Sequence, residues 1–232
     1  MPHYVLALKT KKEVAEETMA FVFEYGRDQK LAFKPGQFVD ITLNEPKYKD
    51  DKGITRAFSI ASSPLDEYLM VATRLTDSAM KKSLTELAEG GLVNIDGPLG
   101  SFKLHSDEAV PAVLLAGGIG ITPFRSMVKD ATERNSNQKI TLIYSNRTPE
   151  DAAFVPDLEE WQAYNTDFNF ITRWTSEAGH IDGNFLRKNI KNMAAPVFYV
   201  AGPPGMVAGA TRLLIECGVL EDKIRFEEFA GY

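Results

Sequence analysis

The sequence predicts two domains in series: an N-terminal antiparallel β-barrel over residues 1–106 and a parallel α/β domain over residues 107–232. A chain of 232 residues is long enough for two compact domains of roughly 100–130 residues each. Short segments of alternating or β-rich character fill the first hundred residues. From about Val110, short apolar strands alternate with helical segments, a pattern typical of a parallel sheet covered on both faces.

Six strands and one helix are predicted in the first domain. The strands are predicted at 4–9, 14–25, 37–43, 56–61, 68–75 and 92–96, and the helix at 79–88. Turn-forming residues such as Lys34-Pro35-Gly36 and Gly90-Gly91 separate them. This combination favours a small closed barrel.

Four strands and four helices are predicted in the second domain. The strands are predicted at 112–116, 140–144, 168–172 and 197–201, and the helices at 123–133, 156–164, 183–189 and 205–217. The polar stretch 105–109 is predicted as the seam between the two domains.

Composition excludes several classes of protein. A net charge of −6 and a pI near 5.2 argue against general binding of nucleic acid, which requires a basic surface. No apolar run approaches the roughly 20 residues of a membrane span, and no signal peptide is recognised, so a cytoplasmic location is expected. Cys217 is the only cysteine and there are three histidines, so neither an iron–sulfur cluster nor any other metal site is predicted.

A glycine-rich turn follows the first apolar strand of the second domain. The turn reads Gly117-Gly118-Ile119-Gly120-Ile121-Thr122-Pro123, with Thr122 predicted to cap a helix that begins at Pro123. Glycines permit positive φ and close approach of a ligand, and a helix N-terminus attracts anions. The motif therefore predicts a site for a dinucleotide pyrophosphate; a purely structural turn is the alternative.

Polar residues end the next two strands of the predicted sheet. Ser145, Asn146 and Arg147 close the second strand, and Arg173 closes the third. Ligands bind at this carboxyl edge in open α/β sheets, so Arg147 and Arg173 are candidates for binding a 2′-phosphate. Two solvated arginines are an equal alternative. Pro123 replaces the third glycine of the Rossmann fingerprint, and no acidic residue closes the second strand.

Two further segments carry candidate site residues. Gly202-Pro203-Pro204-Gly205-Met206 ends another apolar strand, and the sequence does not separate a structural turn from a platform for nicotinamide. Arg56-Ala57-Phe58-Ser59-Ile60 lies in a barrel strand. That strand offers a guanidinium for a phosphate, a ring for a planar heterocycle and a hydroxyl for a ring nitrogen, although an ordinary strand is the alternative.

Together, these motifs resemble the ferredoxin–NADP reductase family over essentially the whole chain. The resemblance rests on the order and spacing of Arg-x-Phe-Ser, Gly-Gly-Ile-Gly-Ile-Thr-Pro and Gly-Pro-Pro-x-Met. It implies a reductase in which hydride passes from NAD(P)H to FAD, and electrons then pass to a separate protein or small-molecule acceptor. Ferredoxin, flavodoxin, a dioxygenase component or a small quinone would all fit as acceptor.

The resemblance also implies a flavin site. Arg56 would bind the flavin phosphate, Phe58 would lie against the isoalloxazine, and Ser59 would hydrogen-bond near its N5. The remaining contacts would come from Ile60, Thr73, Met80 and Lys81. FAD is favoured over FMN because the Met80-Lys81 segment resembles the pyrophosphate contact of FAD-binding members.

For the nicotinamide coenzyme, the resemblance implies that the glycine-rich turn holds the pyrophosphate. Gly202, Pro203 and Met206 would frame the nicotinamide. In the tail, Phe229 or Tyr232 would cover the flavin, and the sequence does not choose between them. Glu228 is preferred as the carboxylate that stabilises charge near the flavin. Phe58 stands where members often have Tyr, and Ala201 where many have Cys.

Two other functions remain open at this stage. The chain could be a non-catalytic flavin-binding subunit of a larger electron-transfer complex, or a nucleotide-binding module without flavin. The intact Arg56–Ser59 motif and the aromatic tail speak against the second. NADPH is slightly preferred to NADH because of Arg147 and Arg173.

Overall fold

The computed structural model describes residues 2–27 and 30–229. These residues form one antiparallel sheet of six strands followed by one parallel sheet of five strands with helices. This arrangement confirms the predicted fold class. The predicted boundary between residues 106 and 107 lies in the linker that joins the two sheets and stays a prediction.

The first sheet closes into a barrel. Its strands are β1 His3–Ala15, β2 Thr18–Glu24, β3 Phe38–Leu43, β4 Thr55–Ser59, β5 Tyr68–Arg74 and β6 Leu92–Leu99, and helix α1 Ala79–Glu86 connects β5 to β6. The strand order is β4-β3-β6-β1-β2-β5. A bridge between Ile60 and Val71 joins the two outer strands and so completes the barrel.

The boundary between the first two strands differs from the prediction. The sequence predicts a connection over the polar residues 10–13 and a second strand that begins at Val14. Instead these residues continue β1 and pair with β2, with Lys11 opposite Phe21. Polar side chains are compatible with a strand whose outer face meets solvent, so the alternation of burial decides the element.

The second sheet has the order β11-β10-β7-β8-β9, and all its strands are parallel. The strands are β7 Ala112–Gly117, β8 Ile140–Asn146, β9 Phe168–Trp174, β10 Val197–Gly202 and β11 Ile224–Glu228. The helices are α2 Ile121–Glu133, α3 Val155–Tyr164, α4 Thr175–Ala178, α5 Gly183–Asn189 and α6 Pro204–Glu216. Every residue of β7 is buried, as expected for the central strand.

The edge strand β11 was not predicted. The predicted aromatic tail begins at Phe226 and so overlaps the last three residues of this strand, in which an arginine and two glutamates interrupt the apolar pattern. An edge strand contacts one neighbouring strand and keeps part of its surface in solvent, so charged residues are common there.

Several contacts join the domains around the linker and the sheet. His105 lies in the linker, where its backbone N–H donates to Tyr199 Oη at 2.8 Å and its ring stacks on the Tyr199 ring. Arg74 of the barrel pairs with Asp151 of the second domain at 2.6 Å. Within the described ranges, none of the helices is long and apolar enough to cross a membrane.

Candidate functional site

The glycine-rich turn follows β7 and leads directly into α2. Gly118–Gly120 form one 3₁₀ turn, and α2 begins at Ile121, so Thr122 is its second residue. The predicted helix start and the predicted cap at Thr122 are therefore wrong. The Thr122 hydroxyl donates to the carbonyl of Ile119 at 3.0 Å instead of capping the helix.

Two of the glycines are required for different reasons. Gly118 has a φ of +54°, in the left-handed region that disfavours side chains. At Gly120, an added Cβ would lie 2.2 Å from the Ala201 carbonyl oxygen. The end of β10 therefore packs directly against the turn, and the two motifs identified in the sequence meet there.

A cleft of about 770 Å³ opens at the carboxyl ends of the parallel strands. Seven predicted coenzyme-binding residues line it: Gly117, Gly118, Ser145, Asn146, Arg147, Pro203 and Met206. Four other predicted residues are not part of the lining: Gly120, Thr122, Pro123 and Gly202. The geometry therefore brings three separate sequence segments together at the edge where α/β sheets bind ligands.

Asn146 is the most buried polar residue that lines the cleft. Its side chain is 6% exposed, and its Nδ2 has no aligned hydrogen-bond partner among the described residues, although the amide lies beside the Tyr144 hydroxyl. Buried polar groups are normally satisfied, so an unpaired donor in a cleft wall indicates a position where a bound molecule supplies the acceptor.

The two arginines predicted for a 2′-phosphate have different surroundings. Arg147 is exposed and lines the cleft. Arg173 is outside the cleft lining: its guanidinium donates to the backbone carbonyls of Ala178, Gly179 and His180 and lies over the Phe185 ring. The Arg173 guanidinium therefore stabilises the loop of residues 178–180, because the backbone carbonyls of that loop accept its hydrogen bonds.

Charged residues that sequence reasoning missed also line the cleft: Arg74, Asp151, His180, Asp182, Arg212 and Glu216. Arg74 is contributed by the barrel, one residue after Thr73, and its pairing with Asp151 brings it to the cleft. No local pattern marks it, because the contact joins residues 77 positions apart.

At the barrel side of the site, two cations lie near each other. Arg56 donates to the carbonyls of Lys52, Gly53 and Thr55 and pairs with Asp50 at 3.2 Å. Burial, and to a smaller extent the nearby Arg56 guanidinium, lowers the pKa of Lys81 to about 8. A phosphate beside these groups would favour their charged forms, which agrees with the predicted flavin phosphate site.

The other predicted flavin contacts are deeply buried. Phe58, Ile60 and Met80 belong to the hydrophobic core of the barrel, and Phe58 is 3% exposed. Thr73 is also fully buried and its hydroxyl donates to the Arg74 carbonyl at 3.3 Å. Phe58 shares its strand face with Ile60, so its ring points into the barrel. Its contact with a flavin stays a prediction.

Ser59 lies on the opposite strand face from Phe58 and is close to Glu227 of β11. Ser59 Oγ and Glu227 Oε2 are both buried and lack an aligned hydrogen-bond partner among residues 2–27 and 30–229. Burial raises the pKa of Glu227 to about 7, an effect that the Ser59 side chain partly opposes. A carboxyl group that titrates near neutral pH is therefore held beside the serine.

The preferred carboxylate, Glu228, is in a different place. Neighbouring residues of a strand point to opposite faces, and Glu228 is exposed while Glu227 is partly buried. The structure thus places Glu227, and not Glu228, beside Ser59. The choice between the two needed the strand register of β11, which the sequence did not supply.

The tail is fixed to the turn after β10. The N–H of Phe229 donates to the Gly202 carbonyl at 3.0 Å, and Phe229 packs against the core of the second domain. Tyr232, the other aromatic candidate, lies outside the described residues. Phe229 is therefore beside the segment predicted to frame the nicotinamide.

The residues present fit two organic cofactors. Ser59 Oγ and Glu227 Oε2 are buried next to each other, and Asn146, whose amide nitrogen is a buried donor, lines the cleft. No group of three or more potential metal ligands occurs in the described part of the chain. The donor set suits a flavin ring system next to a dinucleotide.

Comparison with known proteins supports both halves of this site. The family model described as Oxidoreductase FAD-binding domain matches residues 5–104, and the one described as Oxidoreductase NAD-binding domain matches residues 114–212. The toluate 1,2-dioxygenase electron transfer component of Pseudomonas putida is 28% identical over 98% of this chain and 68% of its own length. One subunit of the Na⁺-translocating NADH-quinone reductase of Neisseria meningitidis is 30% identical over 79% of this chain. The chain spans about half the length of that relative.

Solved structures with low sequence identity share the fold. A cytochrome P450 reductase from Amycolatopsis has a TM-score of 0.82 at 21% identity, covering 98% of this chain and 70% of that one. A ferredoxin NADP⁺ reductase from Neisseria gonorrhoeae, with bound FAD and NADP, has a TM-score of 0.80 at 21% identity, covering 97% and 98%. The chain therefore carries an oxidoreductase FAD-binding domain followed by an oxidoreductase NAD-binding domain, and its fold is that of ferredoxin–NADP⁺ reductase structures.

Proposed function

We propose that this oxidoreductase passes electrons from NADPH, through FAD, to a separate electron-carrying protein. The observation that carries the proposal is the contact between Ser59 of the barrel and Glu227 of β11, the strand that pairs with β10, whose following residue Pro203 lines the cleft. FAD, when bound, accepts hydride and releases electrons singly or in pairs. The chain's own residues bind, orient and shield the two cofactors.

In this proposal, each side of the site has one task. Ser59 and Glu227 contact the reacting edge of the flavin, and Glu227 is able to hold or release a proton at neutral pH because its pKa is near 7. Phe229 covers the flavin face that nicotinamide must reach. Arg56 and Lys81 bind the flavin phosphates, and Asn146 and Arg74 bind the coenzyme in the cleft.

The acceptor is proposed from the relatives. One relative is named as an electron transfer component of a dioxygenase, and another as a subunit of a quinone reductase. Both relatives are longer than this chain. With one cysteine, the 232 residues cannot bind a four-cysteine cluster, so electrons would leave to a ferredoxin, a flavodoxin or a comparable carrier.

Anaerobic reduction of the purified protein tests the proposed function. The protein is expected to be yellow, with flavin absorbance that bleaches on addition of NADPH and returns when an electron acceptor is added. Chromatography of the heat-released cofactor is expected to identify FAD. A colourless protein, or one whose flavin is not bleached by either NADPH or NADH, would contradict the proposal.

Replacing Arg56 by alanine is expected to weaken retention of the flavin. A charge-assisted hydrogen bond to a phosphate is worth about 1.5–3 kcal/mol, so flavin affinity should fall by about one to two orders of magnitude. Flavin content after dialysis measures this. Arg134→Ala is the matched control, because Arg134 pairs with Asp130 at the exposed end of α2. Equal flavin content in both variants would remove Arg56 from the site.

The choice of NADPH over NADH is expected to depend on Arg147. Arg147 lines the cleft, whereas Arg173 makes its hydrogen bonds within a loop. Arg147→Ala should therefore lower kcat/KM for NADPH by about 10- to 100-fold, and kcat/KM for NADH should stay within a factor of about three of the parent value. Arg173→Ala is expected to change kcat/KM for the two coenzymes by the same factor. Preference of the parent protein for NADH would contradict this assignment.

A further inference from the structure

Three side chains of α2 bind the barrel segment that follows β4. Arg125 Nη1 donates to the Ala61 carbonyl at 2.6 Å, and Ser126 Oγ donates to the Ser62 carbonyl at 2.6 Å. Farther along the helix, Lys129 Nζ contacts Asp66 Oδ1 at 2.6 Å. The helix of one domain therefore holds a short backbone segment of the other.

Arg125 is the most constrained of the three. It is 4% exposed, and its Nε and Nη2 donate to Asp157 Oδ2 on α3 at 3.0 and 2.5 Å. Its guanidinium carbon lies 4.8 Å from the ring centre of Phe154 and 5.3 Å from that of Trp161. A planar cation held by hydrogen bonds and by two rings has little freedom to move, and Ala61 is fixed with it.

The two residues of this contact, Arg125 and Ala61, are both close in the chain to residues of the site. Ala61 is two residues beyond Ser59 in the chain. Arg125 is four residues after Ile121, where α2 begins, so about one helical turn separates it from the glycine-rich turn. One buried side chain thus connects the backbone that carries Ser59 to the helix that starts at the dinucleotide-binding turn.

We propose that Arg125 is a positioning residue for hydride transfer, fixing the Ser59 strand relative to the coenzyme turn. The inference rests on the proposed function. FAD and NADPH, when bound, would supply that chemistry: two electrons and one proton would leave the nicotinamide C4–H bond together and form an N–H bond at flavin N5, so the coenzyme would be oxidised and the flavin reduced. Such a transfer requires the two atoms about 3–3.5 Å apart, and a displacement of about 1 Å lowers the rate about 100-fold.

The test compares Arg125→Lys with Asp157→Asn in the flavin-loaded protein. Lysine keeps the positive charge but cannot bind Ala61 and Asp157 at once, whereas Asp157→Asn keeps an acceptor and leaves the Ala61 contact in place. We expect Arg125→Lys to lower the limiting rate of flavin reduction at saturating NADPH at least tenfold, with flavin content and coenzyme Kd within a factor of two. Asp157→Asn should keep a limiting rate of flavin reduction within threefold of the parent rate, even if its Tm falls as far as that of Arg125→Lys.

Two further measurements, which do not depend on turnover, are made beside the rate of flavin reduction. The long-wavelength absorbance of the complex between oxidised coenzyme and reduced flavin should weaken in Arg125→Lys only. Amide hydrogen exchange at residues 60–63 should accelerate at least tenfold in that variant and remain near the parent value in Asp157→Asn. Both changes follow from a displaced Ser59 strand and are independent of the acceptor.

The possible results separate this inference from the proposed function. A parent protein that NADPH does not reduce would count against the proposed function. A parent that is reduced, with an Arg125→Lys variant reduced at the same rate, would overturn the positioning role alone. Losses of rate in both variants in proportion to their losses of Tm would also overturn it, because they would reduce Arg125 to a stabilising contact.

Discussion

Gly120→Ala is expected to lower the free energy of unfolding by about 3 kcal/mol, as overpacking of a rigid contact does. The new Cβ would lie 2.2 Å from the Ala201 carbonyl oxygen and 2.7 Å from the Gly202 nitrogen. Both are backbone atoms, so no side chain can turn aside, and either the start of α2 or the end of β10 must shift. Urea or thermal unfolding measures the change, and coenzyme affinity should fall with it.

Gly209→Ala is the control for this substitution. Gly209 lies within α6, and an added Cβ there would have no heavy atom within 4 Å. Alanine is favoured over glycine inside a helix by about 0.5–1 kcal/mol, so this variant should be slightly more stable than the parent. A Gly120→Ala protein as stable as the parent would show that β10 and the turn do not pack in the way described.

Glu227→Gln is expected to remove a pH dependence of stability. Burial raises the pKa of this carboxyl from 4.5 to about 7, so between these values the folded protein keeps a proton that the unfolded chain releases. Its contribution is complete below pH 4.5 and is lost as the pH rises through 7. With 1.36 kcal/mol for each pKa unit, the loss is about 3 kcal/mol.

Unfolding of the parent and the variant between pH 4.5 and 8, at equal flavin loading, measures this contribution. The difference in stability between the two proteins should change across the range. Glu228→Gln removes the same formal charge from the exposed neighbouring position, so it should follow the parent at every pH. Parallel pH curves for the parent and Glu227→Gln would rule out the buried, proton-holding carboxyl.

The sequence predicted the parts of the molecule whose signals are local. The central strands of the second sheet are continuous apolar runs, and the turn after β7 combines glycines with a following helix, so both could be read directly. Residues at the ends of successive parallel strands must meet at one edge, and this rule correctly brought Ser145, Asn146 and Arg147 next to Gly117.

What the sequence did not predict depends on pairing between distant residues. Charged side chains concealed β11, so the register that places Glu227 rather than Glu228 beside Ser59 could not be inferred. Arg74 reaches the cleft only because Asp151 of the other domain holds it. Arg173 had a plausible phosphate-binding position, but the carbonyls of its own loop satisfy its hydrogen bonds first.

The position of β11 at the edge of the sheet also sets an order of assembly. A chain is synthesised from its N-terminus, and β11 is the last of the described strands, so β7 to β10 can form their sheet before it is made. Until then, the edge of β10 is unpaired, Glu227 is absent from its place beside Ser59, and Phe229 is absent from its place beside Gly202. A nascent protein that ends before β11 would therefore lack the carboxyl group and the aromatic ring of the proposed reaction centre.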